Sequence, residues 1–458
     1  MNSGENKFKD HCGIVGIFAK NPENVPVQLF YTLFSLQHRG QESAGIAYYK
    51  GDELVVYKDL GMVSSVLSRY LNEKRLSNIG IGHVRYSTHG GNKIENTQPI
   101  LACCNKGNIA LAHNGNISNA EKLKKKLVDE GSIFQSTSDT ELILHLISRS
   151  RKTTFIEALI ETLTKLKGAY SMVMVHNDSL IAVRDPEGFR PLFMGKNKNM
   201  TVFSSETCAL DILQIKEYRE VKPGEIITIK KNSENSRIYS ASPKLNQCIF
   251  ELIYFARPDS NIFGKSVHLM RKKIGAALAK TDNVKADIVV PVPSGGTSAA
   301  MGYSEESGLP FELGLSRNHY AGRSFIMPTS AQRELAVRVK LNPVREAIKG
   351  KRIILVDDSL VRGTTSKIIV KLLNEAGAKE VHLRLSSPEI INPCYFGIDT
   401  PTHEELISNS LTPEKIAKHI GADSVMFLPL AELKNCSEQA EDFCFACFGD
   451  KYQEKDVY

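Results

Sequence analysis

The stretch Arg352–Ser366 contains the residues whose types and spacing most clearly allow chemistry. Two adjacent carboxylates, Asp357 and Asp358, follow an aliphatic run of strand length and precede a loop of glycine and hydroxyl residues. A helical pattern, Ser366–Asn374, begins where the loop ends. Backbone N–H groups at the start of a helix bind phosphate, and neighbouring hydroxyl groups add hydrogen bonds. The sequence therefore predicts a phosphate site formed by Arg362, Gly363, Thr364, Thr365 and Ser366.

The two carboxylates need a different ligand, because a negative charge beside a phosphate repels it. Asp357 and Asp358 suit sugar hydroxyl groups or a hard cation such as Mg²⁺, so the loop indicates a phosphorylated ribose. The alternative is an ordinary strand-to-helix turn with two solvated acids. A Walker loop is excluded, because the pattern G-x-x-x-x-G-K-[ST] is absent. Residues 356–365 resemble the phosphoribosyl pyrophosphate loop of the type I phosphoribosyltransferases.

A second loop, 292–298, follows another strand-like run and opens the helical pattern 298–303. Its backbone N–H groups are placed to hold a pyrophosphate. By the same resemblance, Ser294 and Gly295 belong to the binding site for phosphoribosyl pyrophosphate.

One Mg²⁺ per subunit is expected from this resemblance, held by Asp357, Asp358 and the position of Gly295. The family usually has a hydroxyl residue where this chain has Gly295. Ser294 or Thr297 is the alternative partner, unless the metal relies on the two acids alone.

Between the two loops lies a basic, weakly periodic segment that contains Arg317, Arg323, Arg333, Arg338 and Lys340. It is expected to be a lid that closes over an anionic substrate and excludes water. The alternative is a solvated charged loop.

Cys12 begins an apolar run of strand character. Taken alone, a cysteine in this position is as typical of a small buried core residue as of a functional one. Four motifs follow it, at 37–45, 82–88, 113–117 and 138–141. Their order and spacing resemble the class II glutamine amidotransferases, which are N-terminal nucleophile hydrolases. The resemblance implies that residues 1–11 are a propeptide whose removal exposes Cys12.

A free α-amine, with a pKa of about 7.7–8, accepts the thiol proton during attack on glutamine. By resemblance, Cys12 is the nucleophile, while the Asn114 side chain and the Gly115 N–H hold the oxyanion. Arg85 would bind the α-carboxylate of glutamine and Asp139 its α-ammonium. The alternatives are a hairpin turn at Asn114-Gly115 and a helix N-terminal role for Asp139.

The cysteines indicate a further cofactor. Cys444 and Cys447 form a C-x-x-C pair. With Cys248 and Cys394 they match the ligands of family members that carry one [4Fe–4S] cluster per subunit. A zinc site, with Cys436 as a replacement ligand, and free buried thiols remain alternatives. The other cysteines, Cys103, Cys104 and Cys208, are expected in the core.

Apolar runs predict strands in the first half at 44–49, 54–58, 108–113, 171–176, 180–184, 201–205 and 225–230. Helices are predicted at 119–130, 140–150 and 155–167, and a turn or linker at 230–242. With the resemblance, this mixture implies an αββα sandwich of two antiparallel sheets.

In the second half, strand-like runs at 287–292, 352–356, 379–385 and 424–430 alternate with helices. This pattern predicts a doubly wound parallel sheet, which binds ligands at the carboxyl ends of its strands. The expected domains are a propeptide, 1–11, an amidotransferase domain, 12–240, and a phosphoribosyltransferase domain with a cluster-binding tail, 241–458.

Length and composition limit the class of protein. A chain of 458 residues exceeds the about 250–300 residues of a single core. The net charge of +7 is modest and no block of five like charges occurs, so nucleic acid is not an expected partner. No apolar run reaches 18 residues and the N-terminus lacks an apolar signal region, so we expect no membrane span and a cytoplasmic location.

Together, the two halves imply one reaction. Ammonia from glutamine would displace pyrophosphate from phosphoribosyl pyrophosphate, giving 5-phosphoribosylamine and glutamate in the first step of purine biosynthesis. The resemblance also implies feedback inhibition by purine nucleotides and a homo-oligomer, a tetramer. One alternative is another amidotransferase such as a glucosamine-phosphate synthase, which has no need of the loop 356–365. The other is a regulator that only binds the metabolite and would tolerate loss of Cys12, Arg85 or Asp139.

Overall fold

The computed structural model describes residues 12–68, 71, 75–86, 93–242, 244–318, 335, 337–398, 402–450 and 452. Three expectations lie wholly or partly outside these ranges: the propeptide 1–11, the end of the motif 82–88, and most of the lid, including Arg323 and Arg333. Within the described ranges, no helix is both long enough and apolar enough to cross a membrane.

Two antiparallel sheets form the centre of the first half. Their strands are β1 Gly13–Glu23, β2 Ser43–Lys50, β3 Glu53–Leu60, β4 Ser77–Arg85, β5 Ile100–Cys104, β6 Gly107–Ile117, β7 Gly168–His176, β8 Ser179–Arg184, β9 Phe193–Lys196, β10 Met200–Ser204, β11 Glu217–Glu220, β12 Glu225–Lys230 and β13 Ser233–Ile238. One sheet has the order β11-β9-β10-β1-β4-β2-β3, and the other has the order β13-β12-β8-β7-β6-β5.

The two sheets pack face to face between layers of helices. Side chains of a strand alternate between its faces, so β1 contributes to two cores. Ile14 lies in the core between the sheets together with Val173. Val15 and Ile17 face the other way, in the core that contains the helix Val25–Ser35. The far side of the six-stranded sheet is covered by the helices Ala120–Asp129, Asp139–Arg149 and Phe155–Leu163.

The second half is built on a parallel sheet. Its strands and short ribbons are β14 Gln247–Cys248, β15 Asn261–Ile262, β16 Lys265–Ser266, β17 Ile288–Pro291, β18 Leu315–Arg317, β19 Leu341–Pro343, β20 Arg352–Asp357, β21 Glu380–Leu385, β22 Ser424–Phe427 and β23 Phe443–Cys444. The order β17-β20-β21-β22 makes one four-stranded parallel sheet. The remaining α-helices among the described residues are Val63–Val66, Cys208–Ile212, Val267–Lys280, Thr297–Ser307, Arg345–Ile348, Thr364–Glu375, Ile407–Ser410, Pro413–Ile420 and Leu430–Cys436.

Helices cover both faces of the parallel sheet. Ile354 of β20 lies in the core with the helices Val267–Lys280 and Thr297–Ser307. Leu355, the next residue, lies in the opposite core with the helix Thr364–Glu375. Because β17 and β20 are parallel, the loops that leave their carboxyl ends meet at one edge of the sheet.

Every strand predicted from the sequence overlaps an observed strand, and 225–230 coincides with β12. The prediction of a turn or linker at 230–242 is wrong in part, because residues 233–238 form β13, paired with β12. All six residues of β13 are exposed, so the strand has no apolar alternation that would reveal it.

Candidate active sites

Cys12 lies directly before β1 and is buried. Its thiol donates to the backbone oxygen of Tyr86 over 3.6 Å, and its own backbone oxygen accepts from Arg39 Nε over 3.2 Å. Burial raises the pKa of the Cys12 thiol, while Arg85 and Arg39 act to lower it and Asp139 acts to raise it. The fold therefore brings the predicted nucleophile and both predicted glutamine-binding residues into one electrostatic environment.

Arg85 ends β4, opposite Ser43 of β2, and is buried. The turn at Gly40 lies directly on this strand end. A Cβ at Gly40 would approach the backbone carbon and nitrogen of Arg85 to 2.6 and 2.7 Å. Only glycine allows this approach, which explains why the motif 37–45 places a glycine there.

Asn114 and Gly115 lie inside β6, opposite Ser171 and Tyr170 of β7. The alternative of a hairpin turn at this pair is therefore wrong. The Asn114 amide is fully buried, and neither Nδ2 nor Oδ1 has a hydrogen-bond partner. A buried amide without partners is costly, so it requires an explanation such as a ligand.

Gly115 has a φ of +143°, and a Cβ there would lie 2.0 Å from the backbone oxygen of Ala169. No other residue fits at this position without moving the neighbouring strand.

Asp139 is the first residue of the helix Asp139–Arg149, which Ser138 caps. The alternative prediction that Asp139 lies at the N-terminus of a helix is therefore correct. One carboxylate oxygen accepts from the Ile117 N–H over 3.0 Å, and the other lies 3.7 Å from His113 Nδ1. These contacts fix the carboxylate against the end of β6, next to the Asn114-Gly115 pair.

The predicted phosphate loop forms a pocket that is open to solvent. All ten residues from Asp357 to Ser366 line it, and Tyr254 is the additional lining residue. The helix Thr364–Glu375 begins directly after Gly363, which has a φ of +75°. The N–H groups of the first helical turn therefore lie at the wall of the pocket.

Within this pocket, Asp358 is nearly buried and its N–H donates to Asp357 Oδ1 over 2.9 Å. Ser359 Oγ donates to Asp358 Oδ1 over 2.5 Å. The Arg362 guanidinium pairs with Glu405 over 2.9 Å. Arg362 therefore lines the pocket while its guanidinium is paired with Glu405.

The loop after β17 lies against the phosphate loop. A Cβ at Gly295 would lie 1.9 Å from Asp358 Oδ2, and one at Gly296 would lie 2.2 Å from the backbone oxygen of Val356. A hydroxyl residue, which is usual at this position in the family, therefore does not fit at Gly295 unless the Asp358 side chain moves. Ser294 Oγ accepts from Arg317 Nη1 over 3.0 Å, which ties the loop to the first residue of the predicted lid. Arg338, at the other end of the lid, pairs with Glu375 over 3.0 Å.

The four predicted cluster cysteines come together from three segments. Cys248 and Cys444 are register partners in the parallel pair β14 and β23. Burial raises the pKa of all four thiols, and it raises that of Cys248 to about 11. The other three thiols raise the pKa of Cys447 further. The Phe396 N–H donates to Cys394 Sγ over 3.3 Å.

The remaining cysteines lie elsewhere. Cys436 donates to the backbone oxygen of Lys273. The prediction of a core position is wrong for Cys103, which is exposed on the edge strand β5, and Cys104 is only half-buried. Across the described ranges, no group of three or more His, Cys, Asp or Glu side chains is arranged to hold a metal ion.

Sequence reasoning missed several residues around these sites. Tyr254 lines the phosphate pocket from the segment Glu251–Phe255, which carries no motif. A buried group of charges, Arg39, Glu206 and Glu251, lies behind Cys12. The available signals were the position of Arg39 inside the motif 37–45 and that of Glu206 inside the stretch 204–207, which also resembles a segment of the amidotransferase domain.

Two family models match the chain. The glutamine amidotransferase domain matches residues 83–211, and the phosphoribosyl transferase domain matches residues 264–386. The chloroplastic amidophosphoribosyltransferase 3 of Arabidopsis thaliana is 48% identical over 98% of this chain and 85% of its own length. The amidophosphoribosyltransferase of Methanocaldococcus jannaschii is 47% identical over 96% of this chain and 97% of its own.

Two solved structures share the fold over almost the whole chain. The glutamine phosphoribosylpyrophosphate amidotransferase of Bacillus subtilis, complexed with ADP and GMP, gives a TM-score of 0.90 at 45% identity and covers 98% of both chains. A structure described as the allosteric regulatory enzyme of purine biosynthesis gives a TM-score of 0.91 at 45% identity, with the same coverage. These likenesses confirm the predicted fold of two joined domains, and the chain belongs to the amidophosphoribosyltransferase family.

Proposed function

We propose that Cys12 and the loop 357–366 are the two active sites of one glutamine-dependent phosphoribosyl pyrophosphate amidotransfer, the family's step in purine biosynthesis. Glutamine and phosphoribosyl pyrophosphate are its substrates, and 5-phosphoribosylamine, glutamate and pyrophosphate are its products. The observation that carries the assignment of residues is the position of Cys12 against the end of β4, where Gly13 pairs with Val84 beside Arg85 and the Cys12 thiol donates to the backbone oxygen of Tyr86.

Removal of residues 1–11 would give Cys12 a free α-amine, which takes the thiol proton as the sulfur attacks the side-chain amide of glutamine. The negative oxygen that forms would accept hydrogen bonds from the Asn114 amide and the Gly115 N–H. The unpartnered Asn114 amide supports this role. Collapse of the intermediate transfers the proton to the leaving nitrogen, giving ammonia and a thioester at Cys12, and water then releases glutamate.

Arg85 would hold the α-carboxylate of glutamine, since a guanidinium pairs with a carboxylate through two hydrogen bonds. Asp139 would hold the α-ammonium. Its Oδ2 accepts from the Ile117 N–H, which fixes the carboxylate beside β6.

The first turn of the helix Thr364–Glu375 would bind the 5-phosphate through its N–H groups, with hydroxyl groups of Thr364, Thr365 and Ser366 alongside. Asp357 and Asp358 offer the oxygen ligands that Mg²⁺ prefers, so their chemistry fits the metal. When bound, Mg²⁺ would neutralise charge on the pyrophosphate. Ser294 and the main chain at Gly295 would contact the same group from the neighbouring loop.

We propose that Cys248, Cys394, Cys444 and Cys447 hold a [4Fe–4S] cluster. Two buried and two half-buried cysteines whose thiols influence one another suit thiolate ligation, and the N–H donor on Cys394 Sγ is of the kind that stabilises thiolate ligands. The cluster would join the C-terminal tail to the body of the chain, a structural role.

The wider assignments follow from the resemblance. Purine nucleotides are proposed as feedback inhibitors, supported by the ADP and GMP in the Bacillus subtilis structure. A homotetramer, a cytoplasmic location and domain boundaries after residues 11 and 240 complete the proposal.

Replacing the nucleophile tests the residue roles. Cys12→Ser should abolish synthesis of phosphoribosylamine from glutamine, while synthesis from ammonium salts persists. Cys103→Ser changes an exposed thiol on β5 and should leave both activities intact. If Cys12→Ser keeps its glutamine-dependent activity, the assignment of the nucleophile is wrong.

A further inference from the structure

Four charged side chains are buried together between the two halves of the chain. Arg39, Arg190, Glu206 and Glu251 are each at most 1% exposed. Buried charges are costly unless they are paired, and breaking such a group is strongly destabilising. None of the four has a role in the mechanism above.

Arg39 links this group to the nucleophile. Its Nε donates to the backbone oxygen of Cys12 over 3.2 Å. Nη1 and Nη2 donate to the two oxygens of Glu251 over 2.9 and 2.8 Å, and Nη1 also donates to Glu206 over 2.5 Å. Burial opposes the charge of Arg39, but Glu251 and Glu206 outweigh it and raise the pKa of Arg39.

Glu251 comes from outside the matched amidotransferase domain, which ends at residue 211. The residues that flank it, Phe250 and Leu252, lie in the core that joins the two halves. Glu251 also accepts from Arg190 Nη1 over 3.4 Å, and Arg190 donates to the backbone oxygen of Phe396 in the Cys394 loop. The carboxylate is therefore fixed from both sides.

We propose that Glu251 is a positioning residue for glutamine hydrolysis. It holds the Arg39 guanidinium in a two-point pair, and Arg39 in turn holds the main chain of Cys12. The inference rests on the role proposed for Cys12 as nucleophile. It means that the amidotransferase site takes one of its structural supports from the second half of the chain.

The chemistry of the pair explains why a carboxylate is needed. Both oxygens of Glu251 accept hydrogen bonds from Arg39, one from each terminal nitrogen. In Glu251→Gln, one acceptor becomes an NH₂ group that faces a guanidinium donor. Arg39 would then shift, and the Cys12 backbone with it. Misplacing a reacting group by about 1 Å lowers its rate by about 100-fold.

The test compares Glu251→Gln with Glu225→Gln. Glu225 is also buried and also pairs with an arginine through both oxygens, at 2.7 and 2.8 Å from Arg219. For each variant, the rate of phosphoribosylamine synthesis is measured with glutamine and with ammonium on the same preparation. The first rate is then divided by the second. This ratio does not depend on the folded fraction, because both rates come from the same molecules.

We expect Glu251→Gln to lower the ratio by about 30-fold or more, mainly through kcat for glutamine. Labelling of Cys12 by a diazoketone analogue of glutamine, measured by mass, should slow in parallel. Glu251→Asp, which keeps the charge, should recover part of the loss. Arg39→Lys should lower the ratio too, and adding Glu251→Gln to it should cost little more, since the two residues act as one unit.

An unchanged ratio in Glu251→Gln would overturn the proposal, and so would an equal fall in Glu225→Gln. If Glu251→Gln yields no folded protein, the decision passes to Arg39→Lys, where an unchanged ratio has the same meaning. The variant Cys12→Ser distinguishes rejection of the positioning role of Glu251 from rejection of the proposed function. Loss of glutamine use in Cys12→Ser with a normal ratio in the Glu251 variants would reject the positioning role alone.

Discussion

Single residues show most directly what the sequence alone predicts. The motifs predict that Cys12, Arg85 and Asp139 act together, and all three share one environment. The sequence leaves open whether Asn114-Gly115 is a turn, because that dipeptide is typical of hairpins. Its place within β6 depends on pairing with β7, more than 50 residues later in the chain. The residues around Asn114 do not indicate such a distant partner strand.

Asn114→Ala should lower the rate with glutamine by about 100- to 1000-fold, since it removes one oxyanion donor. The rate with ammonium should stay unchanged. Asn108→Ala, at an exposed position of the same strand, is the matched control. Equal losses with both nitrogen donors would show that Asn114 serves the fold instead of the oxyanion.

Asp358→Asn should impair the other site. It should lower the ammonium-dependent release of pyrophosphate by about 100-fold or more, because a hard-cation ligand becomes neutral. Asp287→Asn, on the surface pair with Arg352 near the opposite end of β17, is the control. A normal rate and a normal Mg²⁺ requirement in Asp358→Asn would contradict the assignment.

At the scale of elements, the sequence predicts the strands with regular apolar patterns and misses those without. The sequence gives no strand prediction for β4, because Gly80 and Gly82 interrupt its apolar pattern. The structure shows why glycine is needed, since a Cβ at either position would approach the helix Val25–Ser35 to within 2.9 Å. Close packing of a helix on a strand thus removes the pattern by which the strand would be recognised.

The pair Asp282–Arg384 joins the end of the helix Val267–Lys280 to β21. Both side chains are almost fully buried, and Tyr303 also donates to Asp282 over 2.6 Å. Asp282→Asn should lower the free energy of unfolding at pH 7 by about 3 kcal/mol, because it leaves a buried charge poorly paired. The variant Asp287→Asn changes a partly exposed pair with Arg352 and should cost much less. Urea unfolding measures both.

The loss in Asp282→Asn should depend on pH. Burial acts to raise the pKa of Asp282, but the hydrogen bonds from Arg384 and Tyr303 outweigh it and hold the pKa below its ordinary value. The unfolded state therefore binds the proton first, so the stabilisation is present above about pH 4 and is lost as the pH falls further. A difference between wild type and variant that grows at acid pH would contradict this account.

For the whole molecule, the sequence identifies two halves but not what joins them. Cys248, Cys394, Cys444 and Cys447 are predicted as a group only through the resemblance, since their segments are up to 199 residues apart. The contact of Glu251 with Arg39, across 212 residues, has no sequence signal at all. Contacts between domains arise from tertiary packing, which periodicity and spacing do not report.

Protein purified without oxygen should contain about four iron atoms per chain and absorb visible light, as expected for a [4Fe–4S] cluster. Cys447→Ser should lose iron and unfold at a lower temperature, whereas Cys103→Ser should keep both properties. About one zinc per chain, with no iron, would support the zinc alternative instead.

For the whole molecule, we propose that the Cys12 site and the loop 357–366 perform one coupled reaction. The most direct test measures glutamate and pyrophosphate released by processed protein, with and without phosphoribosyl pyrophosphate and Mg²⁺. We expect glutamate release to rise sharply when the second substrate is present, and the two products then to form in equal amounts. Glutamate released at the same rate in both cases, with no pyrophosphate, would contradict it.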